Sequence, residues 1–287
     1  MALKRIYIPG DEWLYYKIYC GARTADGILT ETISPLTRQL LEEALIQKWF
    51  FIRYNDPEFH LRVRFHLHDT TQIGQVLLKT HKALTPYVAD DVVYKVQTDT
   101  YLREIERYGS HTMELSETLF YHESTLLLEA MDVIADEKLY FLFVLSTIDR
   151  LLDDFTYDIE QKLSLATRNS MTFKKEFHAD KYLNKQLDRK YRGIREELTA
   201  FLSPTVPQQD YEILDQMLRD KTQRTTPIIQ TILEYQQDKR LSIPLDMLVS
   251  SYIHMLVNRA FRSKQRFYEL VSYTFLKQYY TTLKLRV

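Results

Sequence analysis

Residues Phe59 to Leu67, FHLRVRFHL, put His60, Arg62, Arg64 and His66 at every second position, with His68 one step beyond. In an extended strand these five side chains share one face, and Leu61, Val63, Phe65 and Leu67 share the other. Five cationic or protonatable groups in a row repel one another unless an anion or acidic groups sit opposite. Two readings fit this pattern. One is the solvated outer face of an antiparallel sheet. The other is a clamp for a carboxylate or phosphate, in which planar guanidinium groups two residues apart approach one anion from the same side. His66 and His68, near the strand end, are expected at the surface.

Two further constellations carry chemistry-bearing groups. Tyr101 to Gly109, YLREIERYG, crowds Arg103, Glu104, Glu106 and Arg107 before a glycine, which on charge pattern alone is a surface helical turn laced with ion pairs. Within Leu245 to Phe261, Ser251, His254 and Asn258 recur at spacings of three and four and share one helix face, while Leu245, Leu248, Val249, Tyr252, Ile253 and Leu256 form an apolar one. A satisfied structural histidine and a catalytic one both fit His254. The sequence contains no GxGxxG, Walker A, CxxC, HExxH or GxSxG pattern, so neither a cofactor nor a metal is expected. His60, His66 and His68 mimic metal ligands, but two arginines on their face oppose a cation.

The elements that position these groups change character along the chain. Trp13 to Cys20, Trp49 to Tyr54, Phe59 to Leu67 and Val92 to Thr98 read as strands. Helices are predicted from Ser34, as N-cap before Pro35, to about Lys48, and from Thr71 to about Leu84. Strand, helix, strand, strand, helix, strand is the order of a ferredoxin-like antiparallel sheet. From Ser116 onward helical periodicity takes over. Helices are predicted at about 138–153, 156–167, 174–201, 209–222, 227–238, 245–261 and 264–283, punctuated by Pro204, Pro207, Pro227 and Pro244. The expected class is α+β. It is one domain over 1–287, with an α+β part (1–110) and an all-helical part (111–287).

Composition narrows the function classes. The 38 Lys and Arg balance 39 Asp and Glu, a net charge of -1, so bulk electrostatics gives no reason to bind nucleic acid or an anionic membrane. Any anion site must be local. The lone Cys20 cannot form an internal disulfide, the N-terminus shows no apolar signal core, and the apolar run Leu139 to Leu145 is too short to cross a bilayer. A cytoplasmic location is the expectation.

At WFFIRYNDPEFHLRVRF, Trp49 to Phe65, the chain resembles the C-terminal elimination domain of lantibiotic dehydratases, also described as the thiopeptide-type bacteriocin biosynthesis domain. The resemblance continues through WLYYKIYCG at Trp13, EIERYG at Glu104, ETLFYHES at Glu117 and HMLVNR at His254, in the family's order and over the whole chain. In full-length members a large N-terminal part transfers glutamate from glutamyl-tRNA to Ser or Thr of a precursor peptide. The C-terminal domain then eliminates it to leave dehydroalanine or dehydrobutyrine.

The resemblance implies a stand-alone eliminase acting on a precursor peptide, with transfer on a separate glutamylating subunit. The family's elimination residues fall on Arg62, Arg64, Arg107 and His254, all present. His60, Arg53, Asn258 and Arg259, in the same blocks, are the expected substrate contacts. Ser110 departs from the second glycine that many relatives carry after RYG. The family also includes cyclases that join two dehydroalanines in a formal [4+2] reaction, and these tend to have lost the eliminase set. Cyclisation and a non-catalytic peptide-binding module stand as the alternatives to elimination.

Overall fold

The computed structural model describes residues 3–202 and 211–285. In chain order the elements are β1 (Ile6–Tyr7), β2 (Trp13–Cys20), α1 (Thr24–Gly27), α2 (Ser34–Glu42), β3 (Ile46–Asn55), β4 (Phe59–Leu67), α3 (Ile73–Ala89), β5 (Val93–Asp99), β6 (Tyr101–Leu102) and α4 (Ile105–Tyr108). They continue as α5 (Met113–Val133), α6 (Glu137–Asp154), α7 (Ile159–Glu176), α8 (Lys181–Leu202), α9 (Glu212–Gln237), α10 (Leu245–Ala260) and α11 (Gln265–Lys284). The described strands all precede α4, so the class is α+β.

Two compact units emerge. One holds the described residues of Met1–Val133 and Glu234–Ser263, the other those of Ile134–Leu233 and Lys264–Val287. The grouping departs from the change of element type near residue 110, because α5 and α10 pack on the strands of the first unit.

In the first unit the antiparallel sheet has the order β3-β4-β2-β5, the arrangement expected of a ferredoxin-like fold, and β1 pairs with β6 beside it. Leu61, Val63, Phe65 and Leu67 are buried on one face against Ile28, Leu40, Val76 and Leu84 from the covering helical segments. Each such fully buried side chain contributes roughly 1.5–3 kcal/mol. The open edge of β3 is closed by side chains. Ser124 Oγ on α5 accepts from the Phe51 N–H at 3.4 Å. Asn258 on α10 accepts from the Arg53 N–H and donates to the Arg53 carbonyl, both at 3.0 Å.

The second unit is helical. Its interior includes a stacked Phe173–Tyr273 pair and a buried cluster in which Lys162 pairs with Asp149 (2.7 Å) while the Tyr280 hydroxyl donates to Asp149 (2.7 Å). No described helix is long and apolar enough to cross a membrane.

Several sequence expectations need correction. Ser34 is not an N-cap: helical backbone already runs from Thr24 through a π-helical stretch, Ile28–Ile33, into α2. Pro35 lacks the N–H that would close the preceding turn, which accounts for the wider register there. α2 stops at Glu42 rather than Lys48, because Ala44 takes a left-handed conformation (φ 52°) and Ile46 enters the ladder opposite Leu67. Helix α3 runs on through Pro86, and α9 runs through Pro227, so among the described residues the two helices predicted at 209–222 and 227–238 are one, Glu212–Gln237. Helix α7 begins at Ile159 and runs on to Glu176, well past the predicted end at 167, and α8 begins at Lys181 rather than at 174. Pro204 and Pro207 lie outside the described residues. Arg103 is buried, not part of a surface turn, and His66 is half-buried.

Candidate functional site

The polar face of β4 is built by cross-strand pairing. Arg64 lies opposite Tyr15 on β2 and Phe50 on β3, Arg62 opposite Lys17 and Ile52, and His60 opposite Tyr19 and Tyr54. Directly opposed residues point to the same side of a sheet. The arginine face is therefore also an aromatic face, and it is not a freely solvated one.

Arg64 is 7% exposed, with its guanidinium carbon 4.4 Å from the ring centre of Tyr15, 4.7 Å from that of Tyr101 and 5.1 Å from that of Phe50. Among the described residues it makes no hydrogen bond or ion pair, and its Nε is buried without an acceptor. The other buried arginines each have an acid: Arg53 meets Asp26 at 2.6 Å, Arg103 meets Glu117 at 2.7 Å, and Arg259 meets Glu123 at 2.7 Å. Burial pulls the Arg64 pKa down, with the Tyr101 and Tyr15 phenols opposing that shift, Arg62 adding to it and Glu104 opposing it. The group stays protonated. Its charge is offset by ring faces rather than by a carboxylate.

Arg62 is half-buried, with its guanidinium carbon 3.3 Å from the Tyr54 ring centre. Its Nε donates to His60 Nε2 at 3.0 Å, and the other His60 nitrogen, Nδ1, lies 2.8 Å from the Glu58 carbonyl. A carbonyl only accepts, so Nδ1 carries the proton and His60 is neutral. Burial lowers the His60 pKa, and the Arg62 and Lys17 charges lower it further.

At the end of the same face, burial pushes the His66 pKa down to about 4, with Lys48 and Arg103 lowering it further; its ring lies 4.8 Å from that of Trp13. A histidine held neutral when folded but titrating near 6.5 when unfolded contributes stability that is complete above about pH 6.5. That contribution is lost as pH falls through the window from there to about 4. Urea unfolding of His66→Gln beside the wild type should show a shallower loss of stability between pH 6.5 and 5. Equal slopes would show that His66 does not titrate this way.

Arg107 reaches the region from α4, which stops at Gly109. Gly109 has φ 77°, and a Cβ there would meet Ser242 Oγ at 2.8 Å, so this turn requires glycine. Ser110 follows it, exposed. Arg107 Nε donates to Ser251 Oγ on α10 (3.3 Å), and its Nη1 sits 3.5 Å from the Glu104 carboxylate. Ser251, His254 and Asn258 share a face of α10. At roughly 1.5 Å rise per residue, His254 lies between the end at Arg107 and the end that clips β3. An aromatic floor of Tyr101, Phe50, Phe120, Tyr108 and Tyr252 connects the Arg64 rings to α4 and α10, with ring centres 5.2–6.2 Å apart.

Arg53, Asn258 and Arg259 are engaged elsewhere. Arg53 pairs with Leu61, which places its side chain on the opposite sheet face from Arg62 and Arg64, where its Nε donates to the Arg259 carbonyl at 2.9 Å. Both amide atoms of Asn258 are spent on the Arg53 backbone. Asn258→Ala therefore leaves a backbone donor and acceptor unpaired at the β3 edge, and should cost about 2 kcal/mol in chemical denaturation. A change under about 0.5 kcal/mol would show that the clip contributes nothing.

Residues that sequence reasoning passed over belong to this site. Glu104 pairs with Arg107 and works against the lowering of the Arg64 pKa. Tyr15 and Tyr101 wall Arg64. The alternation Trp13, Tyr15, Lys17, Tyr19 was a usable signal, but only the pairing of β2 with β4 shows which face it shares.

Comparison with known proteins agrees with this architecture. The chain is 29% identical over 189 residues to subtilin biosynthesis protein SpaB of Bacillus subtilis, covering 62% of this chain and 18% of SpaB. It is 23% identical over 256 residues to epidermin biosynthesis protein EpiB of Staphylococcus epidermidis, covering 87% of this chain and 24% of EpiB. It thus spans less than a quarter of these relatives. The fold matches the tRNA-dependent lantibiotic dehydratase MibB from Microbispora sp. 107891 with a TM-score of 0.72 at 20% identity, over 98% of this chain and 29% of MibB. It matches TbtD, the pyridine synthase from thiomuracin biosynthesis, with a TM-score of 0.70 at 12% identity, over 95% of this chain and 100% of TbtD. Residues 13–280, nearly everything from β2 through α11, match the family model for the lantibiotic biosynthesis dehydratase C-terminal region, and the chain belongs to that family.

Proposed function

We propose that the chain eliminates glutamate from glutamylated Ser or Thr of a precursor peptide, giving dehydroalanine or dehydrobutyrine. The observation that carries this reading is Arg64, a buried guanidinium walled by aromatic rings with no acid partner among the described residues. A buried unpaired charge is costly, and an anionic substrate group repays that cost when it binds. The leaving glutamate is such an anion.

In the proposed reaction a base removes the Cα proton. The C–H electron pair becomes the Cα=Cβ bond, the Cβ–O bond breaks, and glutamate departs as its carboxylate. His254, on the α10 face that also presents Ser251 to Arg107, is the proposed proton acceptor, since an imidazole ring nitrogen can take the Cα proton. Arg64 and Arg62 hold carboxylates of the glutamyl group, and Arg107 steadies negative charge developing at the ester and Cα. His60 orients Arg62, while Arg53, Asn258 and Arg259 act indirectly, by fixing α10 against β3. The glutamyl ester comes from a glutamyl transferase outside these residues.

The test feeds a glutamylated precursor peptide to the purified protein and follows free glutamate and the matching mass loss. Release by the wild type with loss in His254→Asn supports the reading; an unchanged peptide removes it. The second reading is a pyridine-forming cyclisation of two dehydroalanines, favoured by the full-length match to TbtD. It predicts no glutamate release, and ring formation from an already dehydrated peptide.

A further inference from the structure

We infer that Tyr101, Glu117 and Arg103 form a positioning network that fixes the guanidinium plane of Arg64 through the Tyr101 ring. This inference rests on the proposed elimination for its kinetic consequence, but not for its structural one.

Tyr101 lies in β6 and supplies one of the three ring walls around Arg64. Its hydroxyl donates to Glu117 Oε1 on α5 at 2.9 Å. Glu117 is fully buried, and the same carboxylate takes a two-pronged bond from Arg103, Nε to Oε1 and Nη2 to Oε2, both at 2.7 Å. Such a fork fixes both carboxylate oxygens in one plane, so the hydroxyl bond fixes the tilt of the Tyr101 ring. The ring is packed from its other sides by Tyr7, stacked at 5.9 Å, and Trp13, edge-on at 5.5 Å.

The charge bookkeeping explains why an acid so near the site does not neutralise it. Arg103 takes up the Glu117 charge, and Lys48 Nζ stands 4.0 Å from Glu117 Oε2. Both Glu117 oxygens are engaged by Tyr101 and Arg103, and among the described residues Glu117 forms no ion pair with Arg64. Arg64 thus receives a rigid wall from Glu117 without receiving a counter-ion, and its charge stays available to an incoming carboxylate. A guanidinium held in one plane loses less entropy on binding and meets its anion in register, and misplacement of about 1 Å costs on the order of a hundredfold in rate.

Tyr101→Phe keeps the ring and removes only the hydroxyl, and is the informative variant; Glu117→Gln also breaks the buried pair and serves only as a folding comparison. The experiment records arginine Nε–H resonances in 15N spectra, with the Arg64 signal assigned by its absence in Arg64→Lys. Tyr7→Phe serves as a control that removes a hydroxyl from the neighbouring stacked ring without removing a bond to Glu117. The expected result is that Tyr101→Phe displaces the Arg64 signal and lowers kcat for glutamate release by about tenfold or more, whereas Tyr7→Phe does neither. An Arg64 signal and turnover unchanged in Tyr101→Phe, with only a lower melting temperature, would overturn the inference. Should the wild type release no glutamate, the elimination reading falls, and displacement or constancy of the Arg64 signal alone decides the positioning role.

Discussion

Arg64→Lys is expected to keep the charge and lose the reaction. Lysine presents a compact ammonium in place of a planar fork, so it neither lies flat among Tyr15, Phe50 and Tyr101 nor grips a carboxylate through two parallel bonds. A charge-assisted bond contributes about 1.5–3 kcal/mol, and at 1.36 kcal/mol per decade its loss corresponds to roughly a ten- to hundredfold fall in glutamate release. Arg64→Met should fall further.

Stability should move the other way. Arg64 has no acid to leave stranded, and its strand is held by Leu61, Val63, Phe65 and Leu67 on the opposite face. Removing a desolvated, unpaired charge in favour of an apolar side chain should therefore leave the melting temperature of Arg64→Met unchanged or higher. Intact turnover in Arg64→Lys, or a marked loss of stability in Arg64→Met, would place Arg64 with the structural arginines and take it out of the site.

What the sequence disclosed of this site follows from what local pattern encodes. The two faces of β4 were legible because side chains alternate strictly, and the strand order was legible because four strand patterns and two helical ones fell in one recognisable sequence. The fate of each arginine was not legible. Arg53 and Arg64 both sit in strands among aromatic residues, yet register places one on the core side bonded to Asp26 and Arg259, and the other on the ring-walled side with no acid. Arg103 and Arg107 stand four residues apart in one charged turn, and only the approach of Glu117 from α5 buries the first while the second stays half-exposed beside Ser251. Long-range pairing decides these outcomes, and charge pattern does not encode it. The helix ends missed at Ser34, Glu42, Leu84 and Pro227 have the same origin, since tertiary packing carried helical backbone past the predicted ends and strand pairing cut α2 short.

Glu123→Ala is expected to be among the most destabilising single changes in the first unit, and the reason bears on His254. Arg259 is fully buried on α10, its Nη1 bonded to Glu123 Oε2 on α5 at 2.7 Å and its guanidinium 5.0 Å from the Phe120 ring centre. Arg259 Nε and Nη2 are buried without acceptors, so the carboxylate is the group that balances this charge. Burial already pulls the Arg259 pKa down, with Glu123 opposing that shift. Removing one partner of a buried pair leaves the other charge uncompensated and costs about 3–5 kcal/mol. Glu123→Leu combined with Arg259→Met replaces both partners with apolar groups and should recover most of that loss, because the Arg259 carbonyl that accepts from Arg53 is backbone and survives the exchange. Urea unfolding of the single and double variants gives the comparison, and glutamate release gives its functional side. If the pair serves only to seat α10, the double variant regains turnover together with stability, because His254 returns to its place one turn from Asn258. A double variant as stable as the wild type but inactive would instead assign Arg259 a direct part in binding the substrate. A Glu123→Ala variant as stable as the wild type would show that the charge of Arg259 is balanced by something other than this carboxylate.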